Sequence, residues 1–84
     1  VTLYTVVWLQ DAINDLGDIW LAFQDRTAVT VASAEIDREL ARDARGKGRP
    51  LSEGLRVFDA PPLRAVFSIS EPDRRVEVAR VRAL

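Results

Sequence analysis

The 84-residue chain contains no cysteine and no histidine. The first absence excludes a disulfide scaffold, and the two together exclude a zinc site. No apolar run approaches the roughly 20 residues that a membrane helix needs. The N-terminus lacks the pattern of a signal peptide, so a cytoplasmic protein is expected. A formal charge of −1 gives no global drive toward nucleic acid. Neither repeats nor low-complexity segments occur. What is present is 48% hydrophobic and 30% charged residues, the balance of a soluble globular protein. At this length residues 1–84 make a single domain, and folding buries only about 60% of the surface the unfolded chain exposes.

The charge is unevenly placed. Residues 1–37 carry one cation, Arg26, against six carboxylates, whereas residues 38–84 carry eleven cations against seven. An acidic front and a basic back imply two faces with different partners or two solvated surfaces.

Thr2 to Trp8 is rich in β-branched and aromatic residues and reads as a strand. From Asp11 the period changes: Ile13, Leu16, Trp20 and Phe23 recur at helical spacing, flanked by Ala12 and Ile19. Residues 11–24 therefore form an amphipathic helix with Asp11, Asp15 and Asp18 on its wet side. Trp8 and Trp20, both on apolar stripes, are expected in the core. Asp25 or Thr27 can cap a second helix that buries Val29, Ala32, Ile36 and Leu40 and stops at Gly46. Residues 46–54 read as a loop by glycine and proline content. Three strands follow, over Leu55 to Asp59, Leu63 to Ser70 and Arg75 to Arg82, with a turn at Glu71–Pro72–Asp73–Arg74. The expected class is α+β in the order β-α-α-β-β-β, with a helical hairpin on one face of a largely antiparallel four-stranded sheet.

Two amphipathic helices cover one sheet face and leave the other open. A simple hairpin around residues 59–63 places Arg56 and Phe58 on the open face with Arg64 and Val66, and turns Leu63, Ala65, Phe67 and Ile69 to the helices. A one-residue error in that turn reverses the assignment. Arg38, Arg42, Arg45, Lys47 and Arg49 crowd five cations into twelve residues. They suit phosphates, an acidic partner or a solvated helix end. Asp11, Asp15 and Asp18 alone do not make a magnesium site, which draws ligands from several elements. No metal or cofactor is indicated.

The chain resembles the RelE/ParE superfamily of toxins from type II toxin–antitoxin modules, also described as the plasmid stabilisation protein family. The resemblance rests on YTVVW followed by DAINDLGDIW, on AEIDREL, and on the series GLRVF, PLRAVFSIS and DRRVEVARV. It implies a helical hairpin on a largely antiparallel sheet and a separate antitoxin as partner. Family members divide into ribosome-dependent mRNA interferases and DNA gyrase inhibitors. In the RNase branch, basic residues on the strands after the hairpin hold the scissile phosphate. Arg56 and Arg64 match two such positions and are the candidate catalytic residues. Arg45, Lys47, Arg49, Arg56 and Arg64 are the candidate target-binding residues. RNase members continue past the last strand with a basic residue and an aromatic or histidine, whereas this sequence stops at Arg82–Ala83–Leu84.

The chemistry raises a separate objection. Attack by a ribose 2′-hydroxyl needs a proton acceptor, a proton donor and positive charge around the phosphate. Arginine supplies only the last, because it does not release its proton. Lys47, Glu53, Glu77 and Tyr4 are the candidates for proton transfer; Tyr4 is expected to be structural, and the two glutamates to pair with arginines. Two readings follow. One is a toxin acting on the ribosome and mRNA or on gyrase, silenced by its antitoxin. The other is a non-toxic antitoxin-binding homologue or interaction module on the same scaffold.

Overall fold

The computed structural model describes residues 3–84; Thr2, the expected start of the first strand, lies outside the described residues. The elements are β1 (Thr5–Trp8), α1 (Gln10–Ala22), α2 (Arg26–Lys47), β2 (Arg49–Ser52), β3 (Leu55–Ala60), β4 (Leu63–Ser70) and β5 (Arg75–Ala83). They build one five-stranded sheet in the order β1-β5-β4-β3-β2. β1 runs parallel to β5, and every other pairing is antiparallel. The hairpin α1–α2 covers one face.

The fifth strand, β2, corrects the expectation of a loop over 46–54. Gly54, at φ 71°, supplies the left-handed backbone that the turn back into β3 requires. Pro50 lacks an N–H, yet β2 is the outer strand, where no further neighbour demands one.

α2 begins where expected, with the Asp25 carboxylate accepting a bond of 3.0 Å from the Ala28 N–H. Val29, Ala32, Ile36 and Leu40 are all buried, one helical face against the sheet. The helix does not stop at Gly46. Helical geometry breaks at Asp43 (φ −154°, ψ 66°), whose side chain accepts from the Gly46 N–H at 3.0 Å and starts one further turn. That break frees the Ala41 carbonyl, which takes the Tyr4 N–H at 2.8 Å. Gly48 then closes the helix, its N–H on the Ala44 carbonyl.

α1 departs further from expectation. Ala12 is buried, and Leu16, Ile19 and Phe23 pack against the core. Ile13 and Trp20, assigned to the core by their spacing, are 49% and 39% exposed. Asp15, expected on the wet side, turns to β5 and keeps only 15% of its side chain exposed. It accepts from Arg80 Nε at 2.7 Å and from the Val81 N–H at 3.0 Å, covering the part of the β5 edge that β1 does not reach. Trp8 is half-buried against the core and donates to Asp37 at 3.2 Å. Phe67, Ile36, Leu40 and Leu63 form the fully buried centre. Each such side chain contributes about 1.5–3 kcal/mol by leaving water.

Candidate cationic sites and the helical trough

The β3–β4 turn decides where the arginines point. Ala60 pairs with Leu63, leaving Pro61 and Pro62 as a two-residue loop, so Arg56 pairs with Phe67 and Phe58 with Ala65. Paired residues share a sheet face. Arg56 and Phe58 therefore face the helices, while Arg64 lies on the open face opposite Asp59. The expected common face of Arg56 and Arg64 is overturned by one residue of register. Leu63, Ala65 and Phe67 are buried beneath the helices and Ile69 packs at the margin of that core, as expected.

Each arginine is held differently. Arg56 Nη2 donates to the carbonyls of Gly48 at 2.7 Å and Arg45 at 3.0 Å. These belong to the end of α2, where intrahelical donors run out. Its Nε is buried without a hydrogen-bond partner among the described residues. Arg64 forms a two-point pair with Asp59, at 2.6 and 3.0 Å, and Arg49 approaches the same carboxylate at 3.4 Å. The Arg64 guanidinium holds the Asp59 carboxyl below the usual carboxylate range.

The remaining candidates divide further. Lys47 lies 3.2 Å from Glu39, which also pairs with Arg42 at 2.8 Å and Arg38 at 3.4 Å. Arg45 pairs with Glu71, which also accepts from the Tyr4 hydroxyl at 3.0 Å. The five clustered cations thus have carboxylate partners within the chain. Arg45 and Arg56 do share a cleft of about 260 Å³, with Ser52, Gly54 and Ile69 in its wall. The five predicted target-binding residues form three groups: Arg45 with Arg56, Arg49 with Arg64, and Lys47 alone with Glu39.

Among the described residues no acid–base pair assembles around them. Tyr4 is engaged by Glu71, and Arg74 stacks over its ring at 4.3 Å from the centroid. Glu77 pairs with Arg75 at 3.4 Å, and Glu53 stands exposed in the β2–β3 turn. Glu71 is held below its ordinary range first by the hydrogen bond from Arg45 and then by that from Tyr4. A carboxylate so stabilised in its ionised form is a weak base. Among the described residues no cluster suits a metal ion.

The larger apolar surface is elsewhere. A trough of about 310 Å³ opens between α1 and α2, lined by Ile13, Leu16, Gly17 and Trp20 on one side and by Val29, Thr30 and Ser33 on the other. Leu21 and Val31 add further exposed apolar surface on the hairpin, at 65% and 60% exposed. Sequence reasoning missed this surface, because Ile13 and Trp20 fit the core stripe by spacing. The signal available was Gly17, an interior helix position with no turn to make.

No family model matches the sequence, and no curated relative does. Solved structures match over nearly the whole length. A chain of the RelBE2 toxin–antitoxin complex of Mycobacterium tuberculosis aligns with a TM-score of 0.80 and 23% identity, over 98% of this chain and 99% of that one. A chain from the chromosomal ParDE system of P. aeruginosa aligns at 0.74 with 20% identity, over 100% and 99%. The YoeB/ParE toxin of Agrobacterium tumefaciens gives 0.70 and 23%, over 95% and 98%. At these identities the likeness is one of fold, and the fold of this chain is that of the RelE/ParE toxins.

Proposed function

We propose that this chain is the toxin of a type II toxin–antitoxin module, arresting growth by binding a target of the DNA gyrase kind and neutralised by a cognate antitoxin. The observation that carries the choice of binding over RNA cleavage is the separation of Arg56 from Arg64 across the sheet. One phosphate cannot meet both. Arg56 commits its Nη2 to the end of α2, and Arg64 commits its Nε and Nη2 to Asp59. Cleavage also needs a base and an acid beside the phosphate, whereas Asp59 is bound to Arg64 itself, and Glu71 and Tyr4 are bound to each other, Glu71 also to Arg45. Inhibition by binding asks only for a surface. The exposed apolar hairpin supplies one and gives the free chain a reason to be held by a partner.

The test is induction of the protein alone in bacteria, with pulse incorporation of thymidine and amino-acid label and a control expressing the partner. The expected result is an early fall in thymidine incorporation, relieved by the partner. An earlier fall in amino-acid incorporation overturns the gyrase reading. No change in either label, with the folded protein well expressed, overturns the toxin reading in favour of a non-toxic antitoxin-binding module.

A further inference from the structure

We propose that the outer edge of β1 pairs with β1 of a second copy of this chain, antiparallel about a twofold axis at Val7. Two five-stranded sheets then join into one. The inference uses only the sheet and its edges, and stands whether or not the chain is a toxin.

An edge strand carries N–H and C=O groups without a neighbour, and sheets ordinarily guard them. Here β2 and the end of β5 are guarded. β2 is short, carries Arg49 and Pro50, and shifts register between Pro50 and Ser52. The part of β5 that β1 does not reach is covered by Asp15, which accepts from the Val81 N–H at 3.0 Å. β1 has none of these devices. Residues 3–10 include no charged residue, no proline and no glycine, and the register with β5 is unbroken over Thr5–Trp8. Val6, Val7 and Trp8 are only half-buried, whereas Val76 and Val78 beside them are fully buried.

The backbone directions fix the pairing. The Thr5 and Leu9 N–H groups donate to the Arg74 and Val78 carbonyls at 2.9 Å, so both point inward to β5. Direction alternates along a strand, and Tyr4, Val6 and Trp8 therefore point outward. The Tyr4 N–H is taken by the Ala41 carbonyl at 2.8 Å, and α1 begins at Gln10. Val6 and Trp8 are left, two positions apart. Such a pair maps onto itself under a twofold axis through the residue between them. Val6 then faces Trp8 of the second copy, and Trp8 faces its Val6, each pair exchanging both N–H···O bonds.

The side chains agree with this axis. Val7 lies on the open face with Glu77 and Ser68, clear of the helices. It meets Val7 of the second copy at the position where opposed side chains approach most closely. An uncharged strand offers nothing that repels its own image, and a formal charge of −1 sets little repulsion between whole copies.

Sedimentation velocity of the whole protein from about 10 to 500 μM tests the proposal. One short edge falls below a standard interface, so a reversible dimer in that range is expected. Val7→Lys sets like charges directly opposite and is expected to weaken association at least about tenfold, with a thermal midpoint showing that the variant folds. An equal mixture of Val7→Lys and Val7→Glu is expected to restore it. Val7→Cys keeps a small apolar side chain in a chain with no cysteine of its own. Under mild oxidation it is expected to link to its counterpart at least about tenfold faster than Leu51→Cys on the guarded edge, because opposed Cα atoms about 4.5 Å apart suit a disulfide. A wild-type monomer throughout the range overturns the proposal. So does undiminished association of folded Val7→Lys, a mixture no stronger than Val7→Lys alone, or Val7→Cys linking no faster than Leu51→Cys.

Discussion

Arg56 and Arg64 have the same side chain and opposite duties. Replacing Arg56 with alanine leaves the carbonyls of Arg45 and Gly48 without their donor, an expected cost of about 1–3 kcal/mol. Arg64→Ala loses a half-exposed pair with Asp59 and is expected to cost less than about 1 kcal/mol. Urea unfolding of the two variants checks the ordering; an Arg64 loss equal to that of Arg56 would count against the anchoring role. Gly48 lies over the same arginine. A Cβ there would collide with the Phe67 ring, approaching Cε1 to 2.9 Å. Gly48→Ala is therefore expected to cost about 1–3 kcal/mol by overpacking, and a neutral result would mean that the end of α2 shifts freely.

The acid limit of stability belongs to the same scale. Asp15, Glu39, Asp59 and Glu71 are all held below their ordinary range, chiefly by hydrogen bonds from Arg80, Lys47, Arg64 and Arg45 respectively. Their folded-state values lie below the unfolded ones, so on acidification the unfolded chain takes up protons first. The stability they confer is complete above about pH 5 and is lost as pH falls through the folded values. The urea midpoint should hold steady from about pH 7 to 5 and drop by about pH 3. A midpoint that rises on acidification would contradict the sign.

Among the elements, legibility followed how narrowly a face is used. α2 buries Val29, Ala32, Ile36 and Leu40 on one stripe, so its period and its Asp25 cap were readable from spacing and residue type. Asp25→Ala should lower stability by about 1 kcal/mol, read by thermal unfolding; an unchanged midpoint would mean the cap is replaced by water. α1 carries apolar residues over a wider arc than the sheet covers. Spacing alone did not separate Leu16, which packs inward, from Ile13, which does not. β2 was hidden by composition: proline and glycine read as loop, yet an outer strand accepts the one and its turn requires the other. The five-cation cluster was visible as a run, and so was Glu39 within it, but its other carboxylate partners, Glu71 and Asp59, lie 26 and 10 residues from the arginines they meet.

At the scale of the whole molecule, one residue of register decided the account. The class, the opening strand and helical hairpin, and the face of β4 covered by helices follow from periodicity, while β2 does not and the facing of Arg56 depends on the number of residues in the β3–β4 turn. With Ala60 opposite Leu63, the two candidate arginines part company, and with them the case for a shared phosphate. What remains is an exposed apolar trough on the helical hairpin and a sheet whose arginines are held by carboxylates or carbonyls of the chain itself. That arrangement favours recognition over bond cleavage. The most direct test maps transcript 5′ ends, by primer extension, in cells arrested by this protein. Binding without cleavage predicts arrest with transcript ends unchanged from uninduced cells. New ends within translated messages, appearing as growth stops, would contradict it.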